Sequence, residues 1–278
     1  MNPTPPTPID TGFPARRSSV FPPACRRLRR ARTVGVYRAM GAVALLASEA
    51  ARSLCSRRWS FAEALRQLAE LTGIHVVTTL MARGAFPDSH ELCLGMPGMH
   101  GNFTAVTAMQ ESDLLVALGA RFDDRVTGKL DGFAPDAKVV HVDIDPAELG
   151  KVRRPDVAIR GDVRVAIEAL VVELLANGTA DVDRGAWRSR ISGWQERFPL
   201  TYEPSAPGDR LKPQYVIEQL RDATPDDTIV TSGVGQHQMW ASQYWDFNHP
   251  YTWINSGGLG TMGFSIPAAI GAKAGCPD

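Results

Sequence analysis

Three short apolar runs follow one another in this chain, and each stops at a glycine or a carboxylate. Leu114–Leu118 reads Leu-Leu-Val-Ala-Leu and gives way to Gly119. Residues 138–144 carry Val139, Val140, Val142 and Ile144, with Asp143 and Asp145 at the end. Residues 157–159 run into Gly161 and Asp162. Continuous apolar runs of this length suit strands buried on both faces, the pattern of a parallel sheet. In an open parallel sheet, ligands lie beyond the carboxyl ends of the strands. Glycine at such a place lets backbone approach a ligand, and a carboxylate accepts from ribose or ribityl hydroxyls. Taken singly, each glycine reads as a turn residue and each acid as a helix cap. The recurrence of the same chemistry at the same end of successive strands favours a ligand.

The flanking sequence supplies the helices such a sheet needs. Phe61, Leu65, Leu68, Ala69 and Leu71 recur at helical spacing and stop at Thr72-Gly73. A strand follows over residues 74–80, then two Gly/Pro loops, 81–88 and 94–101. Asn102 is placed to cap a helix leading to Leu114, and an apolar helix over 163–177 ends at Gly178. Strands alternating with helices predict an α/β fold with a doubly wound parallel sheet over 59–178. Residues 179–212, with Pro199, Pro204, Pro207 and Gly208, read as a linker that includes a polar, helical-looking stretch around Trp187 and Trp194. A second, partial α/β unit is expected over 213–278.

Residues 1–58 differ in kind. Prolines and paired arginines crowd them, and Asp10 is the only acid before Glu49. Such composition predicts a disordered tail, with a small Ala/Leu helix over 39–55; an Arg-rich, acid-poor start also fits an organelle transit peptide. Over the whole chain the balance is neutral, with 30 basic and 30 acidic residues, which gives no pull towards nucleic acid or an anionic membrane. No apolar run reaches the length of a membrane span. Cys25, Cys55, Cys93 and Cys276 lack metal or redox spacing and read as reduced thiols in a cytoplasmic setting. No histidine pattern calls for a metal.

Two glycine-rich turns stand out in the second unit. Ser232-Gly-Val-Gly-Gln-His237 leads from a short strand into a helix, and residues 255–263 lead into another that opens with Pro267 in its first turn. Exposed N–H groups at a helix start bind phosphate. Neither turn matches a Walker motif or the dinucleotide fingerprint, so on spacing alone a flexible loop fits equally well.

The longer motifs are more specific. Residues 78–84, 95–101, 119–128 and 141–148 resemble the middle domain of the acetohydroxyacid synthase (acetolactate synthase) catalytic subunit family. Residues 233–240 and 255–263 resemble the start of its diphosphate-binding domain. The resemblance runs from about residue 60 to 278. It implies a thiamine diphosphate enzyme that joins a pyruvate-derived hydroxyethyl group to pyruvate or 2-ketobutyrate in branched-chain amino-acid synthesis, with FAD as a structural cofactor. By resemblance, Thr79, Leu80, Met99, His100, Gly101, Gly119, Ala120, Arg121, Asp123, Arg125, Val126, Asp143, Ile144 and Asp162 face FAD, with Arg121 and Arg125 as diphosphate partners. Val234, Gly235, Gln236 and His237 contact thiamine diphosphate, Gly260 meets its aminopyrimidine, and Met262 wedges it into a bent shape.

The resemblance also implies pieces outside this chain: a pyrimidine-binding domain with its glutamate, and the Mg²⁺ ligands expected beyond Asp278. No catalytic residue and no metal ligand is therefore assigned here, and turnover by this chain alone is not expected. Family members are homodimers that act on small 2-keto acids, and a small regulatory subunit is a further expected partner. Rival readings are a non-catalytic FAD-binding or partner-docking remnant, and another thiamine diphosphate enzyme.

Overall fold

The computed structural model describes residues 42–46, 58–178 and 182–277. Its first body is a five-stranded parallel sheet in the order β2-β1-β3-β4-β5. The strands are β1 (Ala42–Leu46), β2 (His75–Thr78), β3 (Leu114–Leu118), β4 (Lys138–Asp143) and β5 (Val157–Arg160). Alternate side chains leave opposite faces of a strand, and the core divides accordingly. Val76, Leu114, Val116, Leu118, Val140 and Val142 pack one face against α1 (Arg58–Thr72) and α4 (Val163–Asn177). Val77, Leu115, Ala117 and Val139 pack the other against α2 (Phe103–Gln110) and α5 (Gly185–Arg197). Both faces are covered, as all-parallel sheets require, and the fold is α/β with parallel sheets.

Two sequence expectations need correction. The Ala/Leu helix over 39–55 is a strand at Ala42–Leu46, and the disordered tail does not extend over it. Strand β1 sits inside the sheet, with Val43 opposite His75 on one side and Leu115 on the other. Its Ala-Val-Ala-Leu-Leu run is uninterrupted and as long as β3, and only an extended segment can bridge β2 and β3 through backbone hydrogen bonds. The remainder of the tail, including Cys25 and Cys55, lies outside the described residues. The second correction concerns the stretch read as a linker. Its helix α5 buries Trp187 and Ile191 in the second core cluster, and Phe198 at its end stacks on Phe103 at 3.9 Å. Two tryptophans on a polar helix were a signal of attachment.

The second body is smaller. Strands β6 (Val230–Ser232) and β7 (Trp253–Asn255) pair in parallel. Around them lie α6 (Pro213–Asp222), α7 (Gln236–Tyr244) and α8 (Ser265–Gly275). Trp245, Phe247 and Trp253 form its buried cluster, which also takes in Leu80 from the first body. Several of its apolar side chains face outward: Leu259, Met262, Ile266 and Ile270 are all largely exposed.

His75 opens β2 in a buried position with no hydrogen-bond partner on Nδ1 among the described residues. Burial first, then Arg188 and Arg184, pull its pKa from 6.5 down to about 4. The unfolded chain takes up this proton near 6.5 while the folded one waits until about 4. Stability therefore falls as pH drops through that window, by at most about 1.4 kcal/mol per pH unit. Denaturant titrations between pH 7 and 4 should show this loss in the wild type and a flatter profile in His75→Gln.

Candidate cofactor site at the sheet edge

Parallel strands end on the same edge of the sheet, so the residues that follow them share one surface. Thr79 and Leu80 follow β2, Gly119–Asp123 follow β3 (119–123), Asp143 ends β4, and Asp162 comes two residues after β5. The chain crosses from β2 over β1 to β3, which makes the β1–β3 boundary the topological switch point, the place where open parallel sheets bind ligands. The loop 95–101 lies across this edge: Thr78 N donates to Gly95 O at 3.0 Å and Met99 N donates to Arg125 O at 2.8 Å. Gly98 permits that approach; a Cβ on it would stand 2.5 Å from Arg125 O, and its φ of +94° is one that side chains resist. Met99, His100 and Gly101 are thereby brought beside Arg125 and Val126.

The polar groups at this edge divide into caps and unsatisfied donors or acceptors. Asp123 caps the short helix α3 (Asp124–Thr127), accepting from Arg125 N at 3.0 Å, and that bond holds its carboxyl below the usual range. Asp162 caps α4 through Arg164 N and Val165 N. Both acids thus have a structural duty, the reading that fits each one alone. Thr79 and Asp143 are different. Both are buried, and Thr79 Oγ1 and Asp143 Oδ2 have no hydrogen-bond partner among the described residues. Buried polar atoms are almost always satisfied, so two orphans on one edge call for a ligand or water. The remaining sites lie at the surface: Ile144 is exposed, and so are the guanidinia of Arg121 and Arg125. Gly119 and Ala120 are buried in the turn between them.

Sequence reasoning did not single out the groups behind this edge. His141 is fully buried, with its Nε2 3.9 Å from Asp143 Oδ2 and its ring edge-on to Phe122 at 5.2 Å. Burial lowers its pKa, with Asp143 opposing the shift. Phe122 is held at φ +54°, a left-handed conformation costly for an aromatic residue and common near ligand sites. On the outer side of α3 a groove of about 520 Å³ includes Arg121, Asp123, Thr127, Glu148 and Lys151. A periodicity argument treats His141 as one more strand residue, and no local motif marks the groove.

The second set of residues forms around the ends of β6 and β7. Gly235, at φ +143°, is the N-cap of α7 and supplies no side chain to its first turn. The free N–H groups there suit a diphosphate. Val234 is half-buried, while Gln236, His237, Gly260 and Met262 are exposed. Below them the buried Gln238 donates to Asn255 Oδ1 at 3.2 Å, tying the two turns together. The two sets of residues meet across a seam. Gln243 donates to His100 O at 2.7 Å, and Trp253 Nε1 donates to Leu80 O at 2.9 Å. Among the described residues there is no group of three or more His, Cys, Asp or Glu that could hold a metal ion. No described helix is long and apolar enough to cross a membrane.

This arrangement, a covered parallel sheet joined to a unit with an uncapped helix start for diphosphate, agrees with what known proteins show. Residues 55–170 match the thiamine pyrophosphate enzyme central domain, and residues 233–278 match the thiamine pyrophosphate enzyme C-terminal TPP binding domain. The chain belongs to the thiamine pyrophosphate enzymes. Within them its sequence is similar to that of proteins named acetolactate synthase. It is 58% identical over 221 residues to an acetolactate synthase of Mycobacterium leprae, covering 78% of this chain and 35% of the relative. It is 57% identical over 216 residues to the acetolactate synthase large subunit of Corynebacterium glutamicum, covering 78% and 34%. It is 50% identical over 217 residues to acetolactate synthase 2, chloroplastic, of Nicotiana tabacum, covering 78% and 32%. The matched stretch is about a third of the length of these curated relatives.

Gly98→Ala should push the 95–101 loop off Arg125 O. The expected cost is about 1–3 kcal/mol in denaturant unfolding, with faster hydrogen exchange at Met99.

Proposed function

We propose that this chain is the cofactor-holding part of an acetolactate synthase catalytic subunit. The whole enzyme would join a pyruvate-derived hydroxyethyl group to pyruvate or 2-ketobutyrate, in branched-chain amino-acid synthesis. One observation carries the reading: the residues expected to meet FAD share one sheet edge and abut, across a single seam, the turns of a TPP binding domain.

FAD fits the first edge on three grounds. Thr79 Oγ1 and Asp143 Oδ2 are buried acceptors without partners among the described residues, suited to ribityl or ribose hydroxyls. Arg121 and Arg125 offer planar donor forks for a diphosphate. Gly119, at φ +68°, lets backbone come close. Thiamine diphosphate fits the second set through the uncapped start of α7 and the left-handed Gly260, whose open backbone could meet an aminopyrimidine. Met262 is 79% exposed and free to support the cofactor's bent shape. When bound, thiamine diphosphate supplies carbanion stabilisation; the protein's part is position and electrostatics. Neither turn contains a carboxylate that could protonate the aminopyrimidine, so the chain alone is expected not to turn over. The relative named as a large subunit supports a small regulatory subunit as partner, and a homodimer and a cytoplasmic setting, or an organelle in the plant manner, complete the proposal.

Titrating the purified chain with FAD should quench flavin fluorescence saturably. Arg121→Ala and Arg125→Ala should each weaken binding about tenfold or more, the effect of losing a charged hydrogen bond. No saturable uptake of FAD would refute the flavin assignment. Acetolactate made by the isolated chain would overturn the expectation of inactivity.

A further inference from the structure

The segment 78–88 touches both sets of cofactor residues, and it is fixed by a buried ion pair that neither set uses. Arg83 Nη1 and Nη2 donate to Asp88 Oδ1 and Oδ2 at 2.7 and 2.6 Å, with the two side chains 5% and 9% exposed. Arg83 Nη1 also donates to Thr78 Oγ1 at 3.1 Å, directly before the expected flavin contacts Thr79 and Leu80. On the other side Asp88 Oδ2 accepts from Phe247 N at 2.8 Å, and Asp88 N donates to Phe247 O at 3.2 Å. The guanidinium lies over the Phe247 ring at 5.4 Å. Ser89 N donates to Asn248 Oδ1 at 3.0 Å, and Asn248 Nδ2 donates to Asp226 at 3.1 Å. The same segment presents Leu80 O to Trp253, the first residue of β7, and Met81 to Gly257, where an added Cβ would lie 2.1 Å from Met81 Sδ. Residues 255–263, the thiamine-side loop, follow directly.

A buried ion pair adds little net stability, because the cost of drying both charges offsets their attraction. What it can add is geometry: a bidentate fork admits one relative placement of its partners. Here the fork joins the end of β2, in the first body, to residues 245–249 and so to α7 and β7, in the second.

We propose that the Arg83–Asp88 pair makes residues 78–88 a rigid plate through which occupancy of the flavin side orders the thiamine-side loop 253–263. Arg83 and Asp88 are positioning residues; they touch neither expected cofactor. Coupling between sites is a free energy, and a stiff element with contacts to both carries it. The exposed Gln243–His100 contact reaches the 253–263 loop only indirectly, through α7 and the Gln238–Asn255 bond, whereas the plate touches the loop directly at Trp253 and Gly257. The inference rests on the flavin reading above.

Hydrogen exchange with and without saturating FAD tests it on the whole chain. In the wild type FAD should slow exchange across 253–263 about fivefold or more. In Arg83→Met, FAD should still bind through the 119–126 edge, and the effect on 253–263 should vanish while amides of β3 and β4 keep their protection. Bound FAD that leaves 253–263 unmoved in the wild type overturns the coupling, and so does an undiminished effect in Arg83→Met. If Arg83→Met loses protection in β3 and β4 as well, Asp88→Asn, of the same shape, is read by the same two outcomes. A wild-type chain that takes up no FAD removes the flavin reading and the coupling together, a result distinct from binding without effect.

Discussion

The whole arrangement depends on a sheet that is buried on both faces. Strands in that position cannot leave N–H or C=O groups unpaired, so β1 to β5 must pair along their length, and in parallel they must all finish on one side. Where they finish, the backbone is released from the ladder and can serve other ends. Thr79, Gly119, Asp143 and Asp162 come from sequence positions spread over more than eighty residues, yet they occupy one edge for this reason alone. The chemistry of the site is a by-product of how the core is closed.

The second body obeys the same logic on a smaller scale. Two parallel strands release two glycine-rich turns at one end, and the buried Gln238–Asn255 hydrogen bond fixes one turn to the other. Two strands and three helices form little core of their own; Trp245, Phe247 and Trp253 complete theirs with Leu80 from the neighbour. The unit is therefore defined partly by what it leans on.

Much of this was legible in the sequence. Strand β3 and helix α4 fall where their apolar runs and flanking Gly119, Asp162 and Gly178 place them, because local propensity and tertiary demand agree there. Strand β1 was misread. Five apolar residues in an Ala/Leu-rich context satisfy helix and strand alike, and only the gap between β2 and β3 decides. Helix α5 was set aside because prolines follow it, although Trp187 marked it for burial. The Arg83–Asp88 pair had no readable signal: two charges in a Gly/Pro loop look solvated, and the group that completes their environment, Phe247, lies 159 residues further on. Pairings of that range are invisible to any rule of spacing.

Two glycines at the seam set a limit on how it can vary. Gly84 lies against the carbonyl of His249, 2.5 Å from where a Cβ would be, and Gly257 lies against the sulfur of Met81. The two halves thus fit each other through atoms that are missing. A methyl group at 84 would act as a shim against rigid main chain and prise the bodies apart. One at 257 would press on a flexible thioether that can swing aside, and on Asn255 Oδ1 of its own loop, 2.6 Å away. The seam is hard on one flank and compliant on the other, so its width can drift at the Met81 flank while the His249 flank serves as a fixed stop.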